Sequence, residues 1–281
     1  NDPYEGINQG SDPDTVITET PDTTTIDTTN AIPITYQSHK TLLVEEFTGL
    51  KCGNCPQAAD WLKAKLEGPD GDNFTVIAYH VGALAEPDAV GKYTLDLTTS
   101  TGEAYYVQNG VPLQPSAIFN RSDKAEGFGG VGAPWDAIYN DLDDDGYFSN
   151  GNAEVLLGIG SSFDNSTNKA TIALGADLII QPDSAYKLVG VILENGIIGN
   201  QKDYQLRPDR YRPDYEFNHV YRHVFTSSLS GDDFYSPSDM EGEKIVKTYE
   251  VDFANGAWDP QQCYVVAFIV NAETGRAVTG F

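Results

Sequence analysis

Leu42-Leu43-Val44-Glu45-Glu46-Phe47-Thr48-Gly49-Leu50-Lys51-Cys52-Gly53-Asn54-Cys55-Pro56 is the stretch from which the fold is read. Leu42 to Phe47 is a short run of strand character, Thr48 to Lys51 is a loop, and a C-x-x-C pair stands directly ahead of Pro56. Gln57 to Leu66 then places Ala58, Trp61, Leu62 and Leu66 on one face at helical spacing, and Gly68-Pro69-Asp70-Gly71 ends the helix. Outward from there, Phe74–His80 reads as a second buried strand and residues 86–109 as a mixed, mostly helical insertion. Ser116–Asn120 reads as a third strand, and Pro134–Leu142 as a helix with proline near its first turn. This alternation predicts an α/β layer structure over residues 41–150.

Beyond residue 150 the pattern is strands alone, at 153–163, 169–180, 186–194, 224–230, 244–253 and 263–271. Ile245, Tyr249, Val251 and Phe253 share one face of a period-two pattern, and Asn195-Gly196 is a hairpin signal. An all-β antiparallel sandwich over 151–281 is expected. Residues 1–40 are acidic and Thr-rich, too poor in apolar residues to fold alone, and read as a tether. Ile32-Pro33-Ile34 gives that tether some capacity to pack on the domain as a strand.

The 281 residues carry 17 Lys and Arg against 42 Asp and Glu, a formal charge of −25. That surface repels nucleic acid and anionic headgroups, so neither is expected as a partner. No apolar run is long enough to span a bilayer as a helix. With 3 cysteines the chain is not a disulfide scaffold, and without a second C-x-x-C a zinc site is weakly supported.

The C-x-x-C pair is a candidate redox dithiol. Cys52 lies just before a helix, where unpaired backbone N–H groups and the positive end of the dipole favour a thiolate, and Lys51 adds charge beside it. Cys55, one turn along, is within reach to close a disulfide. Cys52 is therefore the expected nucleophile and Cys55 the resolving thiol. No cofactor is required. Resolution needs a proton acceptor near Cys55. By strand alternation Glu46 shares the face of Leu42 and Val44, where burial would raise its pKa, so it is the candidate base. The alternative is that Glu45 or Glu46 simply faces solvent at a strand end.

Leu43 to Pro56 resembles the thioredoxin superfamily pattern of strand, loop, C-x-x-C and helix. The resemblance implies a buried acid at Glu46 and a cis-proline facing the dithiol at Pro115, ahead of the third strand. Gln114 would then present backbone to a bound peptide. Lys51 stands where the family has an aromatic residue, and Gly53-Asn54 lacks the family's usual proline; Gln114 and Lys51 are the candidate substrate contacts. A narrower resemblance spans most of the chain. Val44 to Gly49, Lys51 to Pro56, Pro115 to Arg121, Val189 to Gly196 and Asn218 to Arg222 are similar to the outer membrane protein 28-related lipoproteins of Bacteroidetes-type bacteria. That resemblance implies a thioredoxin-like domain joined to a C-terminal β domain. It also implies a lipid anchor upstream of residue 1 and an outer-membrane location, at the periplasmic face or the cell surface. The expected partner is a protein thiol or disulfide; the alternative is a non-enzymatic lipoprotein that binds a protein or glycan through its β domain.

Two other clusters carry candidate ligand groups. Asp141, Asp143 and Asp145 with Gly146 match the first half of a calcium loop, but the twelfth position is Asn152, so a solvated acidic turn is favoured over a weak calcium site. Four of the 6 arginines (Arg207, Arg210, Arg212 and Arg222) fall together with His219 among several tyrosines. They are candidate contacts for an anionic ligand, glycan or protein; the favoured alternative is a long loop pinned to the acidic domain by ion pairs. His80 and Cys263 read as structural.

Overall fold

The computed structural model describes residues 32–148, 154–238, 244–254 and 258–281. The N-terminal half runs β1 (Thr35–Tyr36), β2 (Leu42–Thr48), α1 (Cys55–Leu66), β3 (Phe74–His80), α2 (Ser100–Gln108), β4 (Ser116–Phe119), β5 (Glu126–Gly127) and α3 (Ala133–Asp144). β2 is buried at every position because it is central. It pairs in parallel with β3, from Leu42↔Phe74 to Thr48↔His80, and antiparallel with β4 on its other side. Period-two alternation sends Leu42 and Val44 against Ala58 and Leu62 of α1 and Trp135 of α3. Leu43 and Phe47 enter the opposite cluster with Tyr79 and Tyr105. Each such fully buried side chain contributes about 1.5–3 kcal/mol.

The second half adds β6 (Val155–Asp164), β7 (Lys169–Leu178), β8 (Tyr186–Glu194), β9 (Ile197–Lys202), β10 (Tyr211–Phe217), β11 (Val220–Val224), β12 (Asp232–Tyr235), β13 (Lys244–Asp252), β14 (Cys263–Asn271) and β15 (Ala277–Gly280). The chain is thus mostly β, with mixed and antiparallel sheets. One large sheet has the order β15-β14-β8-β11-β3-β2-β4-β5, with β12 also on β8. Strands from both sides of residue 150 therefore share one sheet, where the sequence pattern suggested two separate units. The joint is β3–β11, where Val220 lies opposite Ala78 and Ala78 N donates to His219 O at 2.8 Å. The free edge of the buried strand β3 needs hydrogen-bond partners, and β11 supplies them.

The sandwich character survives in part. A four-stranded sheet, β1-β6-β7-β13, packs face to face on β8 and β14 through Leu157, Ile172, Leu174, Leu188, Ile192 and Ile269. β1 pairs with β6, so the end of the expected tether joins this sheet; residues 1–31 lie outside the described residues. A Cβ at Gly158 would fall 2.5 Å from Ile34, so glycine there is what admits the incoming segment.

Three local expectations change. Of the expected strand 224–230 only Val224 is in a strand, as the last residue of β11; β12 begins beyond it at Asp232. Asn195-Gly196 does not close a two-residue hairpin. Its groups bond outward, Asn195 N to Gln262 O and Gly196 N to Asn218 Oδ1, and turn the chain out of the sheet into a separate hairpin, β9–β10. Of the 86–109 insertion, only Ser100–Gln108 is helical, capped by Thr99 Oγ1 accepting from Gly102 N at 3.0 Å. Among the described residues no helix is long and apolar enough to cross a membrane.

A buried ion pair ties the halves together. Arg121 and Glu45 are both fully buried; Arg121 Nε and Nη2 each reach a Glu45 oxygen at 3.3 Å, and Nη1 donates to Leu229 O at 2.5 Å. Tyr105 donates to the same carboxylate at 2.7 Å and Tyr79 at 3.3 Å. Arg121→Met would leave Glu45 without its guanidinium partner in the core. Chemical denaturation is expected to show a loss of about 3–5 kcal/mol. The double variant with Glu45→Gln is expected to recover part of it; equal losses in both would contradict the pairing.

Candidate functional site: a capped disulfide beside a buried acid

The loop after β2 is held by backbone bonds. Lys51 N donates to Leu84 O at 2.8 Å, and Cys52 N donates to Gly49 O at 3.0 Å. The Sγ atoms of Cys52 and Cys55 are 2.01 Å apart, a disulfide at the head of α1. Asn54 at the helix cap makes no side-chain capping bond, and the first turn of α1 carries no acidic residue. The positive end of the helix is therefore left to the sulfurs. Pro56 fits the first turn, where its missing N–H costs nothing.

Glu46 lies on the Leu42–Val44 face of β2 and is 3 % exposed. Its Oε1 has no hydrogen-bond partner among the described residues. Burial pushes its carboxyl up to about 8, so the group is neutral at pH 7. It lines a cleft of about 550 Å³ between α1 and β10, together with Cys55, Asp60, His80, Arg212 and Tyr215. His80 contributes a second unpartnered buried atom, Nδ1. Burial first, and the Arg222 charge second, hold its imidazole down to about 3 and so neutral. Burial, followed by the Glu46 charge, raises the Tyr215 phenol. The cleft thus joins a neutral acid, a neutral imidazole and the inner cysteine. Neither glutamate of β2 faces solvent, because Arg121 takes Glu45 into the opposite core.

The hairpin β9–β10 lies over the disulfide. Gln201 Nε2 donates to Cys52 O at 2.9 Å, Lys202 N to Leu50 O at 2.8 Å and Tyr204 N to Gly53 O at 2.8 Å. A Cβ at residue 53 would stand 2.6 Å from the Tyr204 ring, so glycine between the cysteines lets the ring sit flat on the loop. Under this cover Cys52 is 3 % and Cys55 2 % exposed. Gln201, Asp203 and Tyr204 carry no signal in the sequence that would bring them here; they lie about 150 positions downstream, inside what reads as a loop.

The other expected residues are placed as follows. The Gln114–Pro115 peptide is cis. Gln114 Nε2 donates to Thr48 O and Val81 O, bridging the ends of β2 and β3. Lys51 pairs with Asp88 at 3.2 Å, so its charge is partly compensated. Arg212 is pinned to Asp203 at 2.6 Å and to Asp60 of α1 at 3.4 Å. Arg222 is buried against Glu194 at 2.7 Å. His219 bonds Tyr264 at 2.6 Å, and burial holds it down to about 4. Arg207 and Arg210 stay exposed at the hairpin tip. The arginines are thus divided between a pinned hairpin, a buried pair and an exposed tip where Arg210 stands over the Tyr204 ring, and do not form one patch. Burial pushes the Cys263 thiol, at the start of β14, up to about 12.

The calcium-loop geometry is not formed where the sequence pattern began it. Asp141 and Asp143 lie inside α3, whose Trp135 and Tyr139 anchor it to the core, and Asp145 caps it with its N–H on Asp141 O at 3.1 Å. A calcium loop needs open backbone there. Asn152 lies outside the described residues. Among the described residues no group of three or more His, Cys, Asp or Glu is placed to hold a metal ion.

HBP35 of Porphyromonas gingivalis is similar in structure, with a TM-score of 0.62 at 16 % identity over 87 % of this chain and 75 % of that one; the likeness is one of fold. No curated protein matches the chain. The family model of outer membrane protein Omp28 matches residues 102–279, a stretch that begins after the dithiol, within α2, and runs through α3 into β15. That match covers more than half of the sequence, so the chain belongs to the Omp28 outer membrane protein family and is a protein of the outer-membrane-associated envelope.

Proposed function

We propose that the chain is an envelope lipoprotein whose thioredoxin-like N-terminal half carries out thiol–disulfide exchange on a protein client at Cys52–Cys55. The observation that carries this reading is Glu46: a buried, unpartnered carboxyl that is neutral at pH 7, in one cleft with Cys55. A client thiolate attacks Cys52 Sγ; the Cys52–Cys55 bond breaks and its electron pair leaves on Cys55 Sγ. Glu46 gives that sulfur its proton and becomes a carboxylate. The products are a client–Cys52 mixed disulfide and a Cys55 thiol, and the reverse step returns the proton to Glu46. A lipid anchor upstream of residue 1 completes the proposal.

Cys55→Ser tests this reading with glutathione as probe. Lacking the resolving thiol, the variant is expected to retain oxidised glutathione as a stable Cys52 mixed disulfide, seen in the intact mass. An unmodified Cys52 thiol after incubation with excess oxidised glutathione would contradict exchange at this site.

A second reading has its own observation. Both sulfurs are nearly fully buried, which favours an inert structural disulfide and a protein that binds a partner through its C-terminal strands. It requires the disulfide to survive millimolar dithiothreitol in the folded protein.

A further inference from the structure

The hairpin β9–β10 forms its own two-stranded ladder and, among the described residues, joins neither larger sheet. Its two ends are held by different physics. At the base, Ile197, Tyr215 and Phe217 pack with Leu50 and Leu97 in an apolar cluster. At the tip, Tyr204 to Arg210 are all exposed, and attachment is polar. Lys202 N and Tyr204 N donate to Leu50 O and Gly53 O in the loop ahead of α1. Asp203, with a fully buried side chain, accepts from Arg212 Nε, and Arg212 reaches on to Asp60 of α1. Between the cysteines the Tyr204 ring stands against Gly53, and Gln201 Nε2 donates to Cys52 O.

An incoming sulfur needs to reach Cys52 Sγ, and this cover leaves that residue 3 % exposed. The tip is attached by polar groups, which water satisfies once it lifts: two backbone hydrogen bonds onto the buried loop residues Leu50 and Gly53, a half-exposed tyrosine, and a partly exposed arginine held by the buried Asp203. The apolar base stays anchored while such a tip opens, the behaviour of a local opening unit.

We propose that the tip of β9–β10 is a built-in cap on the dithiol, with Tyr204 as its gating side chain and the Asp203–Arg212–Asp60 chain as its latch. The proposal rests on the exchange reading for its purpose, not for its geometry. Closed, the cap occupies the ground an exchange partner needs; opened, it exposes Cys52 at the head of α1. A client must displace Lys202 and Tyr204 from Leu50 and Gly53 before sulfur meets sulfur.

The test is the rate at which excess dithiothreitol reduces the disulfide in the full chain at pH 7, read by acid quench and thiol mass-labelling. Tyr204→Ala removes the gate and Arg212→Gln the latch; neither residue lies in the main core, and circular dichroism reports that each variant is folded. Both are expected to be reduced at least about tenfold faster than the parent protein. Rates within twofold of the parent in both folded variants would overturn the cap. If reduction accelerates but Cys55→Ser takes up no glutathione, the cap stands and exchange fails. If the mixed disulfide forms but neither variant accelerates, exchange stands and the cap fails.

Discussion

Cys52→Ser is expected to abolish disulfide exchange, lowering dithiothreitol-driven reduction of glutathione disulfide by about 10³-fold or more, as loss of a nucleophile does elsewhere. The two cysteines are not equivalent. Cys52 precedes the helix and leads into the loop that the hairpin covers, whereas Cys55 is the first residue of α1 and lines the Glu46 cleft. Only Cys55 has the proton donor in its own cleft, so it is the sulfur suited to leave and Cys52 the one suited to be attacked. Serine at 52 removes the attacked atom and leaves Cys55 a solitary buried thiol. Serine at 55 keeps the first half-reaction and stops the second. The pair of variants therefore separates the roles: no adduct in Cys52→Ser and a trapped adduct in Cys55→Ser. Equal adduct formation by both variants would contradict the assignment.

Glu46→Gln carries the second large effect, and it has two readouts. In exchange, glutamine keeps the shape of the neutral acid but holds no transferable proton. Loss of a positioned general acid is expected to slow exchange by about 10²-fold at pH 7. In stability, the sign follows from the raised pKa. The unfolded carboxyl titrates near its ordinary 4.5 and the folded one near about 8. Between those pH values the folded protein holds a proton that the unfolded chain has lost, so the stability of the parent protein falls as pH rises through that window and levels off above it. Glutamine removes the titration. The stability of Glu46→Gln relative to the parent is expected to grow by about 3–4 kcal/mol from pH 5 to pH 8, with a slope that reaches about 1.4 kcal/mol per unit in mid-window and flattens towards each end. Denaturation curves of the oxidised proteins at both pH values measure it. A parent–variant gap that does not change with pH would mean that Glu46 is ionised in the fold and cannot serve as the acid.

The parts of this molecule that sequence makes legible are the parts set by neighbours along the chain. Leu42–Phe47 and Phe74–His80 are strands within a residue of the observed ends, and Ala58 and Leu62 face the core, because period and turn chemistry are local signals. Alternation also places Glu46 on the Val44 face. It does not show that Glu45 is equally buried, since the partner that makes this affordable, Arg121, lies on the far side of β4 at a position with no pattern around it. The joining of β3 to β11 rests on a strand edge finding hydrogen bonds more than a hundred positions away, and no local signal encodes that. Asn195-Gly196 has hairpin chemistry, but Asn218 and Gln262 compete for its polar groups and win. The cap is the clearest case. Tyr204 and Arg212 look like a basic, aromatic surface loop until Gly53, Asp60 and Asp203 are seen beneath and beside them.

The central claim is that Cys52 is a reactive thiol held ready by the head of α1. Its most direct measurement is the pH dependence of alkylation of the reduced protein by iodoacetamide, with peptide mapping to separate Cys52 from Cys55 and Cys263. The expected result is reduction by millimolar dithiothreitol without unfolding, followed by preferential labelling of Cys52 with a midpoint below about 7.5, the upper end of the range for cysteines at helix N-termini. A disulfide that resists reduction until the fold is lost, or a Cys52 midpoint at or above about 8.5, the value of an ordinary thiol, would contradict it.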